Sequence, residues 1–229
     1  MQQFKNVDVV SFLEQVMKSN TKHHQEDFEV DKKALEKSKK VFDRIDEITE
    51  YNQLKVLSAF INNGVSESAM AGSTGYGYDD VGRDNLEKVY ADVFHTEAAL
   101  VRPQITCGTH ALTVALSANL LPGDELLSPV GLPYDTLQEV IGIRQSPCSL
   151  AEYGISYSQV DLLDDGTFDY ENIRKAINEK TKMVTIQRSK GYATRPSFSV
   201  KQIGELIAFV KSVKPDIICM VDNCYGEFV

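Results

Sequence analysis

Between residues 31 and 61 the apolar positions Leu35, Phe42, Ile45, Ile48, Leu54, Leu57 and Ile61 recur every three to four residues or at multiples of that step. That is the period of one face of an α-helix, and it fits either one long helix or two in succession. Residues 8–19 carry a shorter amphipathic pattern. The polar run NTKHHQEDFEVD that follows, with His23 and His24, reads as a loop. At 62–84 the rhythm breaks into NNGVSESAMAGSTGYGYDDVGRD, rich in Gly and Ser and carrying Tyr76 and Tyr78. A loop of that length is usually functional or disordered, and its aromatic residues argue against plain disorder.

Beyond this loop, helical and strand-like patterns alternate. Helices are predicted at 83–95, at 109–120, from about 134, over DYENIRKAINE and over SVKQIGELIAFVKSV. Strands are predicted at AALVRPQ, ELLSPV, SYSQVDL, KMVTIQRS and DIICMVDN. PGDE and DDGTFD are turns, with Gly and Asp where positive φ or a helix cap is needed. Such alternation predicts an α/β fold, a mainly parallel sheet with helices on both faces. The expected organisation is a helical amino-terminal arm at 1–62 and an α/β domain at 63–229. In open α/β sheets ligands bind outside the carboxyl ends of the strands. Attention therefore falls on residues 107–110, 129–134, 187–190 and 222–225.

Composition narrows the function classes. The 229 residues carry a net charge of −9, with 42% hydrophobic and 25% charged residues. These are the proportions of an ordinary globular protein with a sizeable core. An acidic balance argues against a nucleic-acid surface. Lys32, Lys33, Lys37, Lys39 and Lys40 do cluster, but acids interleave with them, as on a solvated helix face. The first residues lack a signal-peptide core and no run is long enough to span a bilayer, so a cytoplasmic protein is expected. Cys107, Cys148, Cys219 and Cys224 form no CxxC pair and no metal-ligand spacing with histidine. Reduced, mostly buried thiols and no metal site are the expectation.

Four stretches could carry chemistry. ITCGTHALTVAL places Gly108, Thr109 and His110 at the start of an apolar helix, where unpaired N–H groups and the helix dipole favour an anion. The same stretch also reads as a plain strand-to-helix turn with threonine as its cap. It is neither a P-loop nor GxGxxG. Tyr134, opening the next helix in SPVGLPYDTL, can stack on a flat heterocycle or merely pack across its turn. Asp222 ends the apolar run IICMV, which reads as buried, and a buried carboxylate needs a partner. A cationic ring nitrogen would serve; so would the N–H groups of a following turn, or a metal. QRSKGYATRPS supplies Arg188, Lys190 and Arg195, cations for a substrate carboxylate or simply solvent-facing loop residues.

Taken together these features resemble the fold-type I pyridoxal 5'-phosphate (PLP) enzymes. More narrowly, GYGYDDVGRDNLEKVYADVF, ALVRPQITCGTHAL, GDELLSPVGLPYDTL and VDNCYGEFV are similar to the methionine gamma-lyase-like family, also called aluminium-resistance proteins and related to the cystathionine lyases. The similarity runs from about residue 30 onwards. It implies the PLP-dependent transferase fold, with Gly108, Thr109 and His110 at the cofactor phosphate and Tyr134 stacked on the pyridine. Asp222 would pair with the pyridinium nitrogen, and Tyr76 or Tyr78 would reach the phosphate in a neighbouring subunit. Arg188 or Arg195 would take the substrate carboxylate. The arginine usual in the tyrosine-bearing loop has no clear counterpart here, Arg83 being poorly spaced for it.

The resemblance also implies a cytoplasmic homodimer or homotetramer, with the cofactor near the subunit interface, acting as a carbon–sulfur lyase on a sulfur-containing amino acid. An aminotransferase or decarboxylase on the same fold, or a degenerate non-catalytic module of it, are the alternatives. In that class a lysine that carries the cofactor follows the aspartate by a few tens of residues, on a strand not found in these 229. The expectation is an amino-terminal part of a protein nearly twice as long, without lyase turnover by itself.

Overall fold

The computed structural model describes residues 22–73 and 80–228. The helix expected at 8–19 and the two tyrosines Tyr76 and Tyr78 lie outside those residues. The chain divides into two compact units, Met1–Ala99 and Leu100–Val229. The boundary expected at residue 62 falls inside the first of them.

In the first unit a single helix, α1 (Lys22–Asn62), runs 41 residues. The expected loop around His23 and His24 is instead its first turn. No residue between Lys22 and Asn62 is a proline or glycine, so nothing in the backbone interrupts the helix. A short 3-10 turn at Glu67–Met70 follows, and then α2 (Val81–Phe94), whose cap Asp80 accepts from the Arg83 N–H at 2.9 Å. The core here is small: Ala59 of α1 against Val89 and Val93 of α2, with Val56 and Val65 beside them. Asn63 adds a side-chain hydrogen bond to Asp92 at 2.6 Å.

The second unit holds α3 (Gly108–Asn119), β1 (Glu125–Ser128), α4 (Asp135–Ile141), β2 (Ser156–Gln159), α5 (Tyr170–Ala176), β3 (Thr181–Gln187), α6 (Val200–Val213) and β4 (Ile218–Asp222). The four strands form one parallel sheet in the order β2-β1-β3-β4. Because side chains alternate along a strand, each face buries its own set. Leu127, Val184 and Ile186 join Ile173 of α5 and Ile203, Leu206 and Val210 of α6. Leu126 and Met183 join Leu116 of α3 and Leu137 and Ile141 of α4. Helices therefore cover both faces, as the alternation predicts. The turns are built as read: Asp124 accepts from the Leu121 N–H, and Asp169 caps α5 through the Asn172 N–H.

Three further expectations are corrected. AALVRPQ forms no strand: none of the four strands pairs with it, and Leu100 is 61% exposed. An extended segment becomes a strand only by backbone pairing. The run before Asp222 is buried at Ile217 and half-buried from Ile218 to Asp222, because β4 is an outer strand of the described sheet. The cysteines are free but not mostly buried. Cys107, Cys148 and Cys224 are exposed and Cys219 is intermediate, because three of the four sit in turns rather than on the inward faces of elements. Among the described residues no helix is long and apolar enough to cross a membrane.

Candidate active site

At the carboxyl ends of β3 and β4, beside the first turns of α3 and α4, lies a cavity of about 780 Å³. Gly108 and Thr109 line it from α3, Tyr134 and Thr136 from the start of α4, Gln187 and Lys190 from the end of β3, and Asp222 from the end of β4. The sheet register sets two of these side by side, since Gln187 pairs with Asp222 across the strands. Four stretches spread over more than a hundred residues of sequence thus converge on one space, which is what a parallel sheet does with its strand ends.

Helix α3 opens on it without a side-chain cap. Cys107 holds the cap position, in extended backbone, and its thiol makes no capping bond. The first N–H groups of a helix have no partner within it and carry the positive end of its dipole. A Cβ built on Gly108 meets no atom within 4 Å, so the space beside the helix start is open at this residue. The Thr109 hydroxyl lies 3.0 Å from that of Thr136, a second hydroxyl on the same wall that sequence reading missed. His110 is not among the lining residues; its Nδ1 accepts from the Thr106 N–H at 3.3 Å, folding the ring back onto the residues before the helix.

Tyr134 stands just before α4, and its ring is 6.3 Å from that of Tyr192 with a 32° tilt between planes. The neighbouring Asp135 carboxylate, more than burial, pushes the Tyr134 phenol up. Gln187 fixes its backbone: Oε1 accepts from the Tyr134 N–H at 2.8 Å, while Nε2 donates to the Ser189 carbonyl at 3.0 Å. This clamp had no signature in the sequence beyond a polar residue ending an apolar strand. One Asp222 oxygen accepts from the Cys224 N–H at 3.1 Å, as in a simple turn after the strand, and Oδ2 has no protein partner among the described residues. Burial raises the Cys224 thiol pKa, and the Asp222 and Glu227 carboxylates add to that rise.

The two arginines read as substrate cations are occupied elsewhere. Arg188 donates through Nε to the Phe198 carbonyl at 3.0 Å and through Nη1 to Asn223 Oδ1 at 2.8 Å and the Gly226 carbonyl at 2.6 Å. Arg195 Nη2 donates to the carbonyls of Gln187 at 2.8 Å and Ser189 at 2.7 Å. Its guanidinium lies 4.6 Å from the centre of the Phe198 ring, and burial lowers its pKa. Neither arginine is among the residues lining the cavity. Among the described residues no cluster of His, Cys, Asp and Glu has the makings of a metal site.

An α/β unit with an uncapped helix start, an aromatic ring and a strand-end carboxylate around one cavity has the architecture of the PLP-dependent fold-type I proteins. The PLP-dependent protein YhfS of Escherichia coli shares the fold, at 20% identity and a TM-score of 0.56, over 76% of this chain and 43% of that one. The profile of the Methionine gamma-lyase family matches residues 27–229, and the chain belongs to that family. YnbB of Bacillus subtilis (strain 168), itself uncharacterized, is 54% identical over 81% of this chain and 45% of its own length. The crystal structure of a carbon-sulfur lyase involved in aluminum resistance from Clostridium novyi NT matches with a TM-score of 0.81 and 48% identity, over 86% of this chain and 47% of that one. The chain spans about half the length of these close relatives.

Proposed function

We propose that this chain supplies the cofactor half of a PLP-dependent carbon–sulfur lyase acting on a sulfur-containing amino acid. The observation that carries the reading is the convergence of the open α3 start, Tyr134 and Asp222 on one cavity of about 780 Å³. The residues present fit the cofactor. The open space beside Gly108 and the free first N–H groups of α3, with the Thr109 hydroxyl, suit a phosphate. Tyr134 offers a ring to stack against a pyridine, and the unpartnered Asp222 Oδ2 suits a protonated ring nitrogen. Bound PLP supplies an electron sink for the pair left when a bond at the substrate's α-carbon breaks. What the chain contributes is placement: Gln187 sets the Tyr134 backbone, and the Cys224 N–H orients the Asp222 carboxylate.

The lyase assignment rests on family membership and on the name borne by the Clostridium novyi relative. An aminotransferase could use the same cofactor groups. Release of a thiol from cystathionine or methionine, without amino transfer to an oxo acid, separates the two reactions. Assembly as a homodimer or homotetramer is part of this reading, supported by the exposed apolar side chains along α1. Light scattering behind a sizing column measures it.

Pyridoxine 5'-phosphate, which has no aldehyde, tests the site without covalent chemistry. The purified chain should bind it, Asp222→Asn should weaken binding most where the ring nitrogen is protonated, and Thr109→Val should weaken it several-fold. Equal affinity for pyridoxine with and without the phosphate would overturn the phosphate assignment, and no binding of either would overturn the reading.

A further inference from the structure

We infer that Lys190 is the cation that receives an oxyanion of the bound ligand at this site, the α-carboxylate of an amino-acid substrate being the favoured one. This rests on the PLP reading above. An amino acid joined to PLP brings two anionic groups, a phosphate and a carboxylate. The open start of α3 provides for one of them. The cavity is otherwise poor in positive charge. Of its described lining residues Lys190 alone is a lysine or arginine, while Asp222 and Glu227 are acids.

The basic cluster of the sequence divides its labour. Arg188 and Arg195 spend their donors on backbone carbonyls and on Asn223, and what they build is a loop. Its base closes where the Phe198 N–H meets the Arg188 carbonyl at 3.2 Å. Within it the Lys190 N–H donates to Ser197 Oγ at 3.3 Å, and the Ala193 N–H to the Lys190 carbonyl at 2.9 Å. Gly191 turns the chain at φ +55°, in the left-handed region, and a Cβ there would stand 3.4 Å from the Tyr134 ring. The backbone of Lys190 is thus held by hydrogen bonds on both sides of the residue. Its ammonium group has no hydrogen bond or ion pair among the described residues. An ammonium on a four-carbon stem is a mobile point charge suited to reaching an anion from a fixed loop. The loop leaves β3 one residue past Gln187, whose register partner is Asp222. Lys190 therefore enters the cavity from the end of the strand beside Asp222, whereas Thr109 enters from α3. That separation favours the carboxylate over the phosphate.

The experiment uses three stable probes on the purified chain. They are N-(5'-phosphopyridoxyl)-L-methionine, its decarboxylated counterpart, and N-pyridoxyl-L-methionine, which lacks the phosphate. Binding is read by calorimetry for the unsubstituted chain, Lys190→Met and Lys190→Arg. Lys190→Met is expected to lose about tenfold or more for the two probes that carry a carboxylate, as for a charge-assisted hydrogen bond, and little for the decarboxylated one. Lys190→Arg should recover part of that loss. A loss confined to the two phosphate-bearing probes would support the cation but assign it to the phosphate. Equal affinities of Lys190→Met and the unsubstituted chain for all three probes would overturn the inference and leave the PLP reading standing. Failure of the unsubstituted chain to bind any probe would overturn both. Lys190 is exposed and lies outside every helix and strand, so circular dichroism of Lys190→Met should match that of the unsubstituted chain.

Discussion

The two units of this chain reach ordered structure by different routes. In Met1–Ala99, α1 presents Val41, Phe42, Ile45, Ile48, Tyr51, Leu54, Leu57 and Ile61 as exposed side chains, and buries little beyond Ala59 against Val89 and Val93. In Leu100–Val229 a four-stranded sheet is covered on both faces, and Leu126, Leu127, Val184 and Ile186 are fully buried. The first unit owes its form largely to local geometry, above all the helix period of α1, which no glycine or proline interrupts. The second owes its form to pairing and packing between segments distant in sequence. Regular apolar spacing marks both, so spacing alone reports an element and not how much stability that element shares in.

Core substitutions should separate the two routes most widely. Leu206→Ala, at a fully buried position between α6 and the sheet, should cost about 2–5 kcal/mol. Leu54→Ala, at a position 57% exposed on α1, should change stability by no more than about 0.5 kcal/mol. Urea unfolding followed by circular dichroism measures both. The sequence has no tryptophan, so the far-ultraviolet signal is the practical probe. Comparable losses at the two positions would mean that the exposed face of α1 is covered in solution.

Within the first unit the small core is the part at risk. Val93→Ala removes two methyl groups from a buried position on α2 and should cost about 1–3 kcal/mol. If the units unfold in separate steps, only one of two transitions should move with Val93→Ala, and only the other with Leu206→Ala. A single transition moved by both would show that the units unfold together.

The same contrast explains what could be read from the sequence. Among the described residues the helices from Val81 onwards and four of the five expected strands were legible, because alternation of period and turn signals such as Asp169 mark them locally. The fifth, AALVRPQ, has a strand's composition, but a strand is defined by its neighbour, and composition carries no information about pairing. Among the residues lining the cavity, Gly108, Thr109, Tyr134 and Asp222 stood out because each follows a strand or opens a helix. Gln187 lay in one of the strand-end stretches, but its role was not legible, since that depends on Tyr134, 53 residues earlier, arriving within hydrogen-bond reach. Arg188 and Arg195 looked like ligands for the converse reason: a sequence shows that a cation is present and not which carbonyls it already serves.

The cap of α6 offers a smaller, local test inside the tertiary unit. Ser199 Oγ accepts from the Gln202 N–H at 3.2 Å, and Gln202 Oε1 accepts from the Ser199 N–H at 2.9 Å, a reciprocal capping box. Ser199→Ala should cost about 1 kcal/mol. A much larger loss would show that α6 is only marginally held by its packing on the sheet.

The smallest effect is a pH dependence that belongs to the sheet unit. Tyr157 lies on β2, and burial pushes its phenol from the ordinary 10.0 up to about 12. A phenol is neutral when protonated, so a raised pKa in the fold means that the folded state holds its proton more tightly than the unfolded chain does. The contribution of Tyr157 is therefore fully present below pH 10 and is lost as pH rises towards 12. Half-buried, the ring remains partly screened by solvent, so the loss should be modest. Urea midpoints should fall between pH 9 and 11, and Tyr157→Phe, which has no proton to lose, should flatten that fall. If the alkaline fall is as steep in Tyr157→Phe as in the unsubstituted chain, it arises from other groups, and the β2 edge is more open to water than its burial indicates.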